Sequence, residues 1–143
     1  MPSAQRTIVI GRPVDDVFAF FTDPSNDPRW RPQVKEISAP EHVAPGVRIH
    51  QVVSGPGGRG IPADLEVTAY QPPDRYAFRV VAGPVRPTGE FRFTGEGDST
   101  TVSFALEAHL GGLKKLFMSR PVQSSMDGEM QGLDRAKALI EGS

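Results

Sequence analysis

Between residues 47 and 110 the apolar side chains fall on alternate positions in run after run, and this pattern constrains the fold more than any other feature. Val47, Ile49 and Val53 share one parity, as do Ala63, Leu65, Val67 and Ala69, then Tyr76, Phe78 and Val80, then Phe91 and Phe93, then Val102, Phe104, Leu106, Ala108 and Leu110. A period of two places each set on one face of a strand. The segments between the runs, "GPGGRG", "QPPD", "AGPVRPTG" and "GEGDS", are built from turn-forming residues. The expectation is an antiparallel meander with one greasy face, and such a sheet needs a cover.

The flanks supply the helices. "RTIVIG" at 6–11 reads as a short strand, and "PVDDVFAFFTD" as a helix with Val14, Val17, Phe18 and Phe21 at i, i+3, i+4, i+7 spacing. Pro13 suits a first helical turn, and Asp15 and Asp16 favour the positive end of the helix dipole. Pro24, Pro28 and Pro32 forbid a long helix next, so Trp30, the only tryptophan, belongs to a short helical turn or a loop.

At the other end Val122, Met126, Met130, Leu133, Ala136 and Ile140 form one stripe of a long helix. Pro121 leaves its start open: either Ser119 caps a fresh helix with Pro121 in the first turn, or "GGLKKLF" joins it at a kink. From 120 to 141 the helix is roughly 33 Å long, enough to lie across the sheet. Gly128 and Gly132 fall on the face opposite the stripe, where each costs about 1 kcal/mol relative to alanine.

Composition sets further bounds. A chain of 143 residues is the size of one domain, read here as 1–143, and buries a core without disulfides or metals. Sixteen basic against seventeen acidic residues give a formal charge of -1, with no imbalance to attract nucleic acid or an anionic membrane. Cysteine is absent, which excludes a disulfide scaffold, a thiolate metal site and a cysteine nucleophile. No signal-peptide pattern and no apolar stretch of about 18 residues occurs, so the reading is a soluble, cytoplasmic protein without membrane insertion.

Several chemical signals fail on inspection. "GPGGRG" at 55–60 spells G-x-G-x-x-G, yet a dinucleotide fingerprint must open a helix, and an alternating strand follows here instead. Three scattered histidines offer no metal-ligand spacing, so neither metal nor cofactor is expected. No G-x-S-x-G elbow accompanies the serines of "SRPVQSSMD". "RWR" at 29–31, without a wider basic face, reads as two solvated arginines around a buried ring rather than a nucleic-acid contact.

The stretches "PVDDVFAFFTDPSNDPRW", "VTAYQPPDRYAFRV", "GDSTTVSFALEA" and "LDRAKALIEG" give the chain, over nearly its whole length, a resemblance to the START-related, helix-grip superfamily (SRPBCC). Within it the chain resembles the polyketide cyclase/dehydrase-like group. That resemblance implies an α+β helix-grip fold: a curved antiparallel seven-stranded sheet wrapped around a long C-terminal helix, with two short helices after the first strand. It also implies an internal cavity for apolar or amphipathic small molecules, lipids included. By position, Phe21 and Trp30 would stand where the first helices meet the cavity; Trp30 reads equally as a plug fixing the helices to the sheet.

Strand parity and the helical stripe supply the remaining candidate wall. Leu65, Val67, Phe78, Phe91, Phe93, Phe104 and Leu106 come from the strands, and Phe117, Met126, Met130 and Leu133 from the helix side. The same pattern suits a filled core. Gln51 has inward parity and could orient a ligand carbonyl or hydroxyl, but it exchanges no protons. His50, His109, Arg79, Arg92, Glu66, Glu90 and Glu107 have outward parity, which leaves no inward acid or base, although one bulge would reverse any of these assignments. The primary reading is a binding module for a hydrophobic small molecule, serving transport, sensing or protection. The alternative is a polyketide cyclase or dehydratase-type enzyme folding a poly-carbonyl chain in the same cavity.

Overall fold

A computed structural model describes residues 2–83, 85–110 and 113–142, with the side chains of Pro56 and residues 113–119 outside the description. The chain begins with strand β1 (Ser3–Ile10), helix α1 (Val14–Thr22), a 3-10 turn (Pro24–Asn26) and the one-turn helix α2 (Asp27–Trp30). Strands β2 (Val34–Ser38), β3 (Arg48–Ser54), β4 (Gly60–Pro62), β5 (Leu65–Gln71), β6 (Arg75–Val80), β7 (Thr88–Glu96) and β8 (Ser99–Glu107) follow, then helix α3 (Leu113–Glu141).

Seven strands form one curled antiparallel sheet in the order β1-β8-β7-β6-β5-β3-β2, and the short β4 pairs with β3 off that path. The first strand closes against the last, from Ser3 opposite Glu107 to Ile10 opposite Thr100. The architecture is the helix-grip fold. "GPGGRG" turns β3 into β4 and opens no long helix.

The local reasons are those of the sequence. Pro13 caps α1 with extended backbone, and its carbonyl accepts from Val17 N at 3.2 Å. Val17, Phe18 and Phe21 are buried. The helix stops at Asp23, whose carboxylate accepts from the backbone N and the hydroxyl of Ser25, an aspartate turn that competes with further helix.

The 29 residues of α3 run unbroken from Leu113 through Pro121, so the segment before the proline joins the helix rather than preceding a fresh one. At 1.5 Å per residue α3 is about 44 Å long. It lies parallel to β1, tied at intervals. Gln123 donates to Ser3 O at 2.6 Å, Arg6 donates to Met130 O at 3.1 Å, Lys137 donates to Val9 O at 2.6 Å, and Gly11 N donates to Glu141 at 2.7 Å. The spacing works because eight residues of strand and eighteen of helix each rise about 26–27 Å.

One parity assignment changes. The β5–β6 register pairs Val67 with Phe78 but Ala69 with Ala77, leaving Thr68 as a bulge. Beyond it Ala69 moves to the face of Ala77 and Glu90, and Tyr70 takes the inward face opposite Tyr76. Tyr70 then packs on Phe18, ring centroids 5.5 Å apart.

Candidate functional site

The inward face of β6, β7 and β8 is aromatic because the register places like residues opposite one another. Tyr76 faces Phe91, and Phe91 faces Phe104. The Phe91 and Phe104 rings stack at 4.0 Å with planes 2° apart. Phe21 reaches this layer from α1, 5.1 Å from Phe91 and 5.9 Å from Phe93. Trp30 meets Phe21 edge-on at 5.3 Å and lies 6.5 Å from Phe104.

The candidate residues from the strand and helix patterns come together. Leu65, Val67, Leu106, Met126, Met130 and Leu133 are buried in one cluster with Phe21, Trp30, Phe91, Phe93 and Phe104. Phe78 is half-buried against that cluster; its ring covers Gly89 of the next strand, where an added Cβ would come within 2.3 Å of it. Phe117 falls on the residues whose side chains are not described. The outward set pairs up on the convex face: Glu66 with Arg79 and Glu90 with Arg75 and Arg92 as ion pairs, His50 Nδ1 2.8 Å from Asp64 and His109 Nε2 3.0 Å from Glu107.

Gln51 is 3% exposed, and its environment corrects the expectation for Arg31. Arg29 is exposed, as expected of a solvated residue, whereas only 12% of the Arg31 side chain meets solvent. Arg31 donates from Nε and Nη2 to the two carboxylate oxygens of Glu129 on α3, at 2.7 and 2.9 Å. Its Nη1 donates to Asp27 Oδ2 and to Gln51 Oε1, each at 3.3 Å. The two carboxylates expose 16% and 14% of their side chains. With both ionised the cluster carries one negative charge more than positive.

Burial, more than that excess, sets the titration of Asp27. Burial pushes the Asp27 carboxyl up to about 6; the Arg31 charge opposes the rise and the Glu129 charge adds to it. For Arg31, burial works against the charged form, but Glu129 and Asp27 outweigh it and hold the guanidinium above its ordinary value. Burial, reinforced by the Asp27 charge, raises the Tyr76 phenol, which therefore stays protonated at neutral pH. A buried acid titrating near neutrality beside an apolar face is equipped for proton transfer. Strand parity carries no trace of it, because Asp27 and Arg31 lie on α2 and its exit and Glu129 on α3. The legible trace was the i, i+4 spacing of Asp27 and Arg31 around Trp30.

Two further details place Trp30. Its Nε1 is buried with no hydrogen-bond partner among the described residues. It lies near enough to the Asp27 carboxylate to favour the ionised form without reaching hydrogen-bond geometry. Gly132, read from the sequence as lying opposite the apolar stripe, faces α2: a Cβ there would stand 2.9 Å from Trp30 O and 3.2 Å from its Cε3. Gly132 is one of the points where α3 touches α2.

A family model described as polyketide cyclase/dehydrase and lipid transport matches residues 1–141. The chain belongs to this family. No curated protein matches this family member in sequence. Solved structures share its fold. TTHA0849 from Thermus thermophilus is 20% identical, with a TM-score of 0.73, over 96% of this chain and 99% of that one. The Zhui aromatase/cyclase from Streptomyces sp. R1128 is 14% identical with a TM-score of 0.75, over 97% and 93%. A START superfamily protein from Mycobacterium smegmatis is 18% identical with a TM-score of 0.71, over 98% and 94%. Among the described residues of this polyketide cyclase/dehydrase and lipid transport family member, no helix is long and apolar enough to cross a membrane.

Proposed function

We propose that this protein binds a hydrophobic or amphipathic small molecule between the concave face of its sheet and α3, for transport, sensing or protection. The observation that carries this reading is the aromatic inner layer of Tyr76, Phe91, Phe93 and Phe104, bordered at one end by the Asp27–Arg31–Glu129 cluster. An apolar wall with a few convergent polar groups is the usual composition of a small-molecule site. Met126 and Met130 on α3 add polarizable surface that adapts to ligands of different shape. Native mass spectrometry before and after organic extraction tests the proposal. A copurifying small molecule that extraction removes supports it. So does a lipophilic dye that binds the extracted protein and is blocked by Phe104→Trp or Met130→Trp. Unchanged dye binding in both folded variants counts against this wall.

A second reading, a cyclase or dehydratase acting on a poly-carbonyl chain, is favoured by one observation: Asp27 titrates near 6 beside the aromatic layer. The likeness to an aromatase/cyclase supports the same reading. Turnover of a poly-carbonyl substrate that Asp27→Asn abolishes while dye binding persists would select the enzyme.

A further inference from the structure

We propose that Trp30 Nε1 and the Asp27 carboxylate together anchor one hydroxyl group of the bound molecule, so that the ligand is a hydrophobic alcohol or phenol. This rests on the cavity reading above and narrows it to a chemical class. The first observation is the Trp30 N–H, a donor on a side chain only 2% exposed and without a hydrogen-bond partner among the described residues. The second is the neighbouring carboxylate. Asp27 Oδ2 accepts one long hydrogen bond from Arg31 at 3.3 Å, and a carboxylate can accept about four.

The pair asks for one atom that accepts from the indole and donates to the carboxylate. A hydroxyl oxygen does both. A ketone or an ether oxygen only accepts, and would face the carboxylate lone pairs with nothing to give; an ammonium only donates and leaves the indole N–H orphaned. Arg31 does not fill the role: its Nη1 donates to Asp27, but a guanidinium has no acceptor for the indole N–H. The charged and titratable groups around Asp27 are Arg31 from the exit of α2, Glu129 from α3 and Tyr76 from β6. The ligand body would extend from this anchor over the Phe21, Phe91 and Phe104 rings, which Trp30 already meets.

Calorimetric titration of the full chain at pH 7.5 with 2-naphthol and with 2-methylnaphthalene tests the anchor. The two probes have nearly the same shape and differ in the hydroxyl. The methyl compound is the more hydrophobic, so a cavity without the anchor favours it. The expected result is 2-naphthol binding at least tenfold tighter, with the preference falling to threefold or less in Trp30→Phe and in Asp27→Ala. Circular dichroism confirms that each variant is folded, and the comparison on the unaltered protein stands without either. Equal or tighter binding of 2-methylnaphthalene overturns the hydroxyl anchor, assigns the indole N–H to a trapped water and leaves the cavity reading in place. Failure of the folded protein to bind either probe overturns the anchor together with the cavity reading it rests on.

Discussion

Glu129 grips Arg31 with both carboxylate oxygens, at 2.7 and 2.9 Å, across 98 residues of sequence. The pair ties α3 to the exit of α2 at the end of the aromatic layer. Removing Glu129 leaves Arg31 charge-paired with Asp27 but strips the partners from its Nε and Nη2 in a mostly buried site, a loss of about 2 kcal/mol. Glu129→Ala should therefore lower the unfolding free energy measured in urea by that amount. A loss below about 1 kcal/mol would show that water replaces the carboxylate without penalty.

Asp27 should make the protein less stable as pH rises. Its folded-state pKa stands above the ordinary value of 3.8, at about 6, so the folded state binds more protons than the unfolded state between those values. The contribution is fully present below about pH 4 and lost as pH rises through about 6, on the order of 2 kcal/mol. Glu90 acts in the opposite sense: burial works against its charge, yet hydrogen bonds from Arg75 and Arg92 hold it below the usual range. The difference between native and Asp27→Asn stability isolates the first effect. Denaturant titrations at pH 4.5 and 8 should show the native protein losing ground to the variant; a difference independent of pH would contradict the assignment.

The two glycines of α3 should respond to alanine with opposite signs. At Gly128 a Cβ meets nothing within 4 Å, and the helix gains about 0.5–1 kcal/mol from the better helix former. At Gly132 the Cβ would press on Trp30 O at 2.9 Å, and prying α3 from α2 costs about 1–2 kcal/mol net. Thermal melts of the two variants check this, and a stabilised Gly132→Ala would mean that the helices separate freely.

Phe104→Ala should cost about 4 kcal/mol, the usual range for emptying a buried aromatic position. Phe104 is 3% exposed and stacks on Phe91. Guanidinium unfolding measures the loss. A cost near 1 kcal/mol would show that neighbouring side chains collapse into the space, or that the ring already borders open volume.

Strands β1, β3 and β5–β8, the two short helices and the long terminal helix were legible in the sequence because a period of 2 or 3.6 is a local property, whereas β2 and β4 carry no apolar alternation to announce them. Each inward residue of β3, β7 and β8 follows from its neighbours two positions away. The family resemblance added the curl of the sheet around α3, and the strand order bears it out. Where the period breaks, local reading stops. The bulge at Thr68 exchanges Ala69 for Tyr70 on the inner face, and an extra residue in one strand leaves no mark on the alternation of the other.

What the sequence determined by itself was therefore which residues are buried along each element, since hydrophobic periodicity encodes burial one element at a time. What only the tertiary structure decided was which polar groups share that burial. Asp27 and Arg31 sit in a proline-rich segment that reads as solvated, and Glu129 falls within the apolar stripe of α3, three residues after Met126 and four before Leu133, where the sequence names no partner for it. Each finds its partners only because α3, lying along β1 and touching Trp30 at Gly132, brings the three charges together. Charge–charge energies depend on distance through space and on exclusion of water, and neither quantity exists until the elements have packed.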